Sequence, residues 1–233
     1  MTRLGGLLAA AEKLRAATMT DVVDVGAGSE PGLRERKKQR TRATLINSAV
    51  QLCLEQGYEK TTVEQIAAAA DVSSRTFSRY FATKDAVYLA LLDALIQGVA
   101  AELETIPRDV SPLRALRDAH LTVLGKVRSG GVPGLNSNGV ALMLQVINST
   151  DELKLAAGEI QAPVVVRALA DRMGVEPTSR RLRMVNAVWS AIIVTGCGDL
   201  TPGTAAGELG PELMALRISE SYDQFRALTA VAR

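Results

Sequence analysis

Two short helices, each announced by its own cap and parted by a tight turn, constrain this chain more than any other feature. Thr62 stands where an N-cap belongs, and Gln65 three residues later completes a capping box, in which each residue's side chain bonds the other's backbone N–H. Val63, Ile66, Ala67 and Ala70 then fall on one face, and the pattern breaks at Asp71-Val72. Ser73 is the cap of a second short helix, 74–81. A longer helix over about 38–56 precedes both. Its Leu45, Ile46, Ala49, Leu52 and Cys53 follow helical spacing, and Gly57 stops it. A supporting helix followed by two short helices and a tight turn is a helix-turn-helix.

The rest of the chain also reads as helix. Aromatic residues make up 3% of the 233, and alternating Val/Ile/Thr runs are missing, so no sheet is expected. Helices are predicted over about 85–104, 112–128 (Ser111 as cap, Pro112 at the first position), 140–148, 177–197 and 208–231. A further pair spans 151–173, kinked or divided by Pro163. Glycine and proline mark loops over 129–138 and 198–207. Residues 1–33 carry a few leucines at helical spacing and then a glycine-rich linker, so they read as a flexible extension. The expected fold is all-α, with a three-helix domain over 34–84 and a helical body over 85–233.

Charge is divided unevenly between these parts. The formal net charge is only +2, yet residues 34–84 hold ten basic and five acidic groups. The flanking segments are both slightly acidic. A local excess of positive charge on a near-neutral protein is the footprint of a polyanion-binding module. Other classes are disfavoured. No apolar run approaches the ~20 residues of a membrane span, the best being around Ile192–Val194, so no membrane partner is expected. Two cysteines and one histidine leave almost no room for a zinc site, and no phosphate loop or nucleophile motif suggests an enzyme or a cofactor. Cys53 and Cys197 both lie in apolar segments and read as reduced core thiols of a cytoplasmic protein.

On the second short helix Val72, Phe77 and Phe81 must face the supporting helices. Ser74, Arg75, Ser78 and Arg79 are left on the opposite face. Two arginines one turn apart suit a major groove, where arginine bonds guanine O6 and N7, and small serines permit close approach. Thr62 and Tyr80 offer hydroxyls to phosphates, Lys84 a cation, and the run that includes Arg40 and Arg42 a reach to a phosphate strand or an adjacent minor groove.

The same residues carry a resemblance. Arg40 to Arg42, Gly57-Tyr58, Thr61-Thr62-Val63, Ile66-Ala67, Val72-Ser73, Thr76-Phe77, Arg79-Tyr80-Phe81 and Lys84-Asp85 resemble in order the N-terminal domain of the TetR family of bacterial repressors. The likeness covers about 36–90. Asp71 stands where the family usually has glycine, and Ser78 where it usually has a phosphate-bonding tyrosine. The resemblance implies DNA contact by Arg40, Arg42, Thr62, Ser74, Arg75, Thr76, Arg79, Tyr80 and Lys84. It also implies a homodimer on an operator in double-stranded DNA, and a body of about six helices with a ligand cavity. The stretches from Gly32 and from Ser74 are similar to an actinobacterial branch that senses acyl-CoA-like ligands.

Within the body, the last two helices are the dimer candidates. Leu182, Val185, Val188, Trp189, Ile192 and Ile193 make one wide apolar surface, and Leu213, Leu216, Ile218, Tyr222, Phe225 and Leu228 the other. Leu142, Met143, Val146, Leu169, Met173 and Trp189 are candidate linings for a small hydrophobic effector, with His120, Gln145 and Asn148 as polar anchors. A body rich in aliphatic residues and poor in aromatic ones suits an aliphatic effector, such as a fatty acyl chain. Two other readings stay open: a helical adaptor that does not bind DNA, and an enzyme.

Overall fold

The computed structural model describes residues 33–149, 151, 154, 162–201 and 208–230. These form nine helices and no strand: α1 (Leu33–Gln56), α2 (Val63–Ala69), α3 (Ser74–Tyr80), α4 (Lys84–Thr105), α5 (Pro112–Arg128), α6 (Ser137–Ile147), α7 (Pro163–Met173), α8 (Arg180–Cys197) and α9 (Pro211–Ala230). The all-α reading holds. The expected N-terminal extension up to 32, most of the segment before Pro163, and the loop over 202–207 lie outside the described residues.

Caps decide where these helices begin. Thr62 Oγ1 accepts from the Gln65 N–H at 3.3 Å and Gln65 Oε1 from the Thr62 N–H at 2.9 Å, so the capping box is complete. Ser73 Oγ accepts from the Thr76 N–H at 3.1 Å. Between α2 and α3, Asp71 has φ 54°, a left-handed turn that a short polar side chain tolerates. Elsewhere the boundaries move, for local reasons. Ser111 makes no side-chain cap bond, and Pro112 alone opens α5. Asn136 Oδ1 accepts from the Gly139 N–H at 2.8 Å, which starts α6 at Ser137. Pro163 is the first residue of α7, so it opens a helix and kinks none. Ser179 caps α8 through the Leu182 N–H at 3.2 Å, leaving Pro177 in the preceding turn.

Leu45, Ile66 and Phe77 are fully buried where α1, α2 and α3 meet, and Phe81 closes that core with its ring centroid 5.8 Å from that of Phe77. In the body α4 is the central helix. Val87, Leu91, Leu95, Val99 and Leu103 are all buried as α5 and α7 pack around it. The apolar window of mean hydropathy 1.6 falls in the helical stretch Ser74–Thr105, not around Ile192 where the sequence places the best run. Helix α9 packs on α5 and α8. Gly196 permits the α8–α9 approach, since a Cβ there would lie 2.7 Å from the Arg217 carbonyl oxygen and from Ser221 Oγ. Arg217 Nε donates to the Gly196 carbonyl at 2.9 Å and its Nη2 to Asp199 Oδ1 at 2.6 Å. The hydrogen-bonded Arg217 guanidinium holds the Asp199 carboxyl below its ordinary range. Helix α6 touches α1, where Asn136 Nδ2 donates to Asn47 Oδ1 at 3.1 Å. Both cysteines are buried free thiols.

Candidate functional site

Helix α3 is seven residues long, and only Phe77 on it is buried. Ser74, Arg75, Ser78 and Arg79 are exposed together on the opposite face. Ser78 Oγ donates to the Ser74 carbonyl at 3.0 Å, so this hydroxyl hydrogen closes onto its own helix. Thr76 is half-buried, its Oγ1 3.0 Å from Ser73 Oγ at the cap. The Arg79 guanidinium lies 5.3 Å from the centroid of the half-buried Tyr80 ring. Such cation–π packing narrows the rotamers of a long side chain without neutralising it.

The phosphate candidates surround this face unevenly. Thr62 is exposed at the N-terminus of α2, and its hydroxyl accepts the cap bond while keeping its own hydrogen to donate. Arg40 is exposed on α1 with Arg34, Arg36, Lys37 and Lys38. Arg42 is exposed too, but its guanidinium packs 5.2 Å from the Phe81 centroid and borders Gly134 of the α5–α6 loop. Lys84 departs furthest from expectation. Its ammonium donates to the Tyr58 carbonyl and lies 4.1 Å from the Tyr58 ring centroid, half-buried. The Tyr58 hydroxyl in turn donates to Asp85 Oδ1. Lys84 therefore fastens the start of α4 to the α1–α2 turn. Gln56 Nε2 donates to Gln65 Oε1 at 3.0 Å and to Thr61 Oγ1 at 3.3 Å, tying α1 to the α2 cap. Neither tie is visible in sequence, because the partners are five to twenty-seven residues apart with no motif linking them.

A second candidate site lies inside the body. A cavity of about 200 Å³ is walled by Leu92, Leu95, Ile96 and Val99 of α4, Met143, Leu144 and Ile147 of α6, Val165 and Val166 of α7, and Trp189 and Ile193 of α8. His120 and Asn148 also line it. Of the expected linings, Met143 and Trp189 are present. Leu142 and Val146 are buried on another face of α6, two residues out of phase with Leu144 and Asn148. Leu169 and Met173 lie on α7 beyond the half that reaches the cavity, and Gln145 does not line it. His120 Nδ1 lies 2.7 Å from the Leu116 carbonyl and donates to it, and the ring centroid sits 4.9 Å from that of Trp189. Burial pushes the imidazolium down to about 4, so the ring is neutral at pH 7.

The dimer candidates divide. Leu182, Trp189 and Ile192 of α8 and Ile218 and Tyr222 of α9 are buried within the protomer, and Ile193 faces the cavity. Met184 (59% exposed) on α8, with Leu216 (54%) and Leu228 (78%) on α9, are apolar groups left outside, and Val194 (40%) is exposed where it borders the cavity. Periodicity alone does not separate them from the others, since partly buried apolar groups such as Val185, Val188, Leu213 and Phe225 also lie on these helices.

Residues 45–91 match the family model described as bacterial regulatory proteins, tetR family. The chain is 40% identical over 166 residues to the HTH-type transcriptional regulator TcmR of Streptomyces glaucescens, spanning 70% of this chain and 74% of that one. It is 30% identical over 93 residues to the HTH-type transcriptional regulator RutR of Escherichia coli K12, 40% of this chain and 44% of that one. Among solved structures, the TetR-family repressor FadR of Thermus thermophilus, in complex with lauroyl-CoA, aligns over 77% of this chain and 90% of its own with 19% identity and a TM-score of 0.46.

Proposed function

The chain belongs to the tetR family of bacterial regulatory proteins, and from that premise we propose a repressor that holds a palindromic operator as a dimer until a small apolar effector fills its cavity. It is a DNA-binding transcriptional regulator and not an enzyme. Residues 34–84 serve as the DNA-binding domain, and 85–233 as the ligand and dimer domain. The observation that carries the reading is the outward pair Arg75 and Arg79 on a short helix whose other face is locked by the fully buried Phe77. Arg75 and Arg79 read base edges, with Ser74 and Thr76 close beside them. Arg40, Arg42, Thr62 and Tyr80 hold phosphates, and Lys84 chiefly positions the domain through Tyr58.

A dimer follows from the need to hold two recognition helices about 34–36 Å apart, one turn of DNA. The surface that supports it is the exposed Met184, Leu216 and Leu228 on α8 and α9. The effector acts through α4, which is separated from α3 by only three residues and whose Leu92, Leu95, Ile96 and Val99 line the cavity. A hundredfold loss of operator affinity requires about 2.7 kcal/mol of differential ligand binding between two spacings of the recognition helices. The aliphatic wall accepts the hydrocarbon part of an acyl-CoA-type effector, and 200 Å³ leaves its head group outside. Mobility-shift titration on the region upstream of the chain's own gene, with and without ligand, tests the reading. Retarded complexes that dissolve on ligand addition support it, and absence of any complex refutes it.

A further inference from the structure

The cavity is not closed evenly. Val99, Leu116, Met143 and Leu144 on its inner wall are buried, whereas Val194, which also lines it, is exposed. Among the described lining residues Lys154 alone is charged. Its side chain is 31% exposed, and its ammonium lies 3.5 Å from the Asp151 carboxylate, which is 92% exposed. A lysine that lines the cavity yet meets a carboxylate standing in solvent has its stem in the wall and its head at the rim. Asp151 holds that head weakly, because an ion pair to so exposed a carboxylate is screened by water. The other acid that feels the Lys154 charge, Asp199, is already bonded to Arg217 through both carboxylate oxygens. The lining therefore runs from buried hydrocarbon to one exchangeable cation at the edge of solvent.

We propose that the effector is an amphiphilic anion, whose apolar body fills the cavity while Lys154 binds its anionic end at the rim. The inference rests on the cavity being the effector site, and it narrows the occupant from any apolar molecule to one with a negative end. An anion drawn inward would lose its water among aliphatic side chains. At the rim it keeps water on one side and gains the ammonium on the other. Asp151 yields its place easily, since its carboxylate is almost fully hydrated already. The ligand's anion is better held than that of Asp151, because burial of its hydrocarbon fixes it beside Lys154. A neutral end gains no such contact, and a cationic end is repelled. A carboxylate and a phosphate share this chemistry: a free acid supplies the first and a phosphate-bearing head group the second.

Trp189, the single tryptophan of the chain, lines the cavity and reports on its filling. Its emission is followed while full-length protein is titrated at low salt with octanoate, octyl phosphate, 1-octanol and octylammonium, which share one tail and differ in the end group. The anions should bind about five- to tenfold tighter than octanol, and octylammonium more weakly than octanol. The tighter of the two anions names the source. Their advantage should shrink at 1 M salt, where charges are screened within about 3 Å. Lys154→Gln should bring both anions level with octanol while octanol binds as before, and that unchanged affinity shows the variant to be folded. Lys154→Glu should reverse the order in favour of octylammonium. The ligand series on the unaltered protein decides the matter even if a variant misfolds. Octanol or octylammonium binding as tightly as the anions, or an anion advantage that survives in folded Lys154→Gln, overturns the proposal and leaves the cavity as effector site. Failure of all four to bind overturns both.

Discussion

Arg75 and Arg79 stand one turn apart, both exposed on α3, whereas Arg40 lies on α1 among other exposed cations. The two positions should answer differently to removal. Arg75→Ala is expected to weaken operator binding by ~1–3 kcal/mol and to relax preference at one base position in each half-site. Arg40→Ala should weaken all DNA sequences alike and lower the slope of log affinity against log salt by about one, as read by anisotropy titrations at several salt concentrations. His120 makes a separate pH prediction. Its folded value of about 4 lies below the ~6.5 of an unfolded histidine, so the unfolded chain binds more protons between those limits. Stability should therefore fall as pH drops from 6.5 to 4, by at most ~3 kcal/mol from this group, and lose nothing further from it below 4. Thermal melts of His120→Gln across that window should be flatter than those of the unaltered protein. At this scale the sequence shows what is local. The Thr62–Gln65 box and the Ser73 cap span three residues and were readable. The Lys84–Tyr58 contact spans twenty-six residues, and nothing in the chemistry of a lone lysine announces it.

Helices were legible wherever period and cap agreed. The face of α1 and the breaks at Gly57 and Asp71 follow from apolar spacing and from turns that only certain residues accept. The starts of α6 and α8 were misplaced because Asn136 and Ser179, the residues that cap them, lie among other loop-forming residues. How two helices approach is less legible again, as two glycines show. Gly125 sits on the exposed side of α5, and a Cβ there meets nothing within 4 Å, so Gly125→Ala should raise stability by up to ~1 kcal/mol through helix propensity. Gly196 looks equivalent in sequence, yet its Cβ would press on α9 backbone, which cannot swing aside. Gly196→Ala should lose about 1–3 kcal/mol despite the same propensity gain, with a fall of several degrees in melting temperature.

At the scale of the whole molecule the question is how copies of the chain and the operator come together. Ile193 belongs to the apolar surface that the sequence offers for dimerisation, but it borders the cavity. Met184→Glu or Leu216→Glu is the informative substitution, because both groups face outward and neither supports the protomer core. Either should shift sedimentation at micromolar concentration from dimer to monomer and remove operator binding while leaving helical content unchanged. The cavity was half legible for a similar reason: helical period groups residues by face, but it does not say which buried face meets empty space and which meets another helix. The most direct measurement is selection of DNA from a random pool by the unaltered protein and by Arg79→Ala. The unaltered protein should enrich an inverted repeat whose half-sites lie about one helical turn apart, and Arg79→Ala should lose preference at the same position in both halves. Enrichment of no motif by the unaltered protein, or of the identical motif by both proteins, would show that α3 does not read the operator.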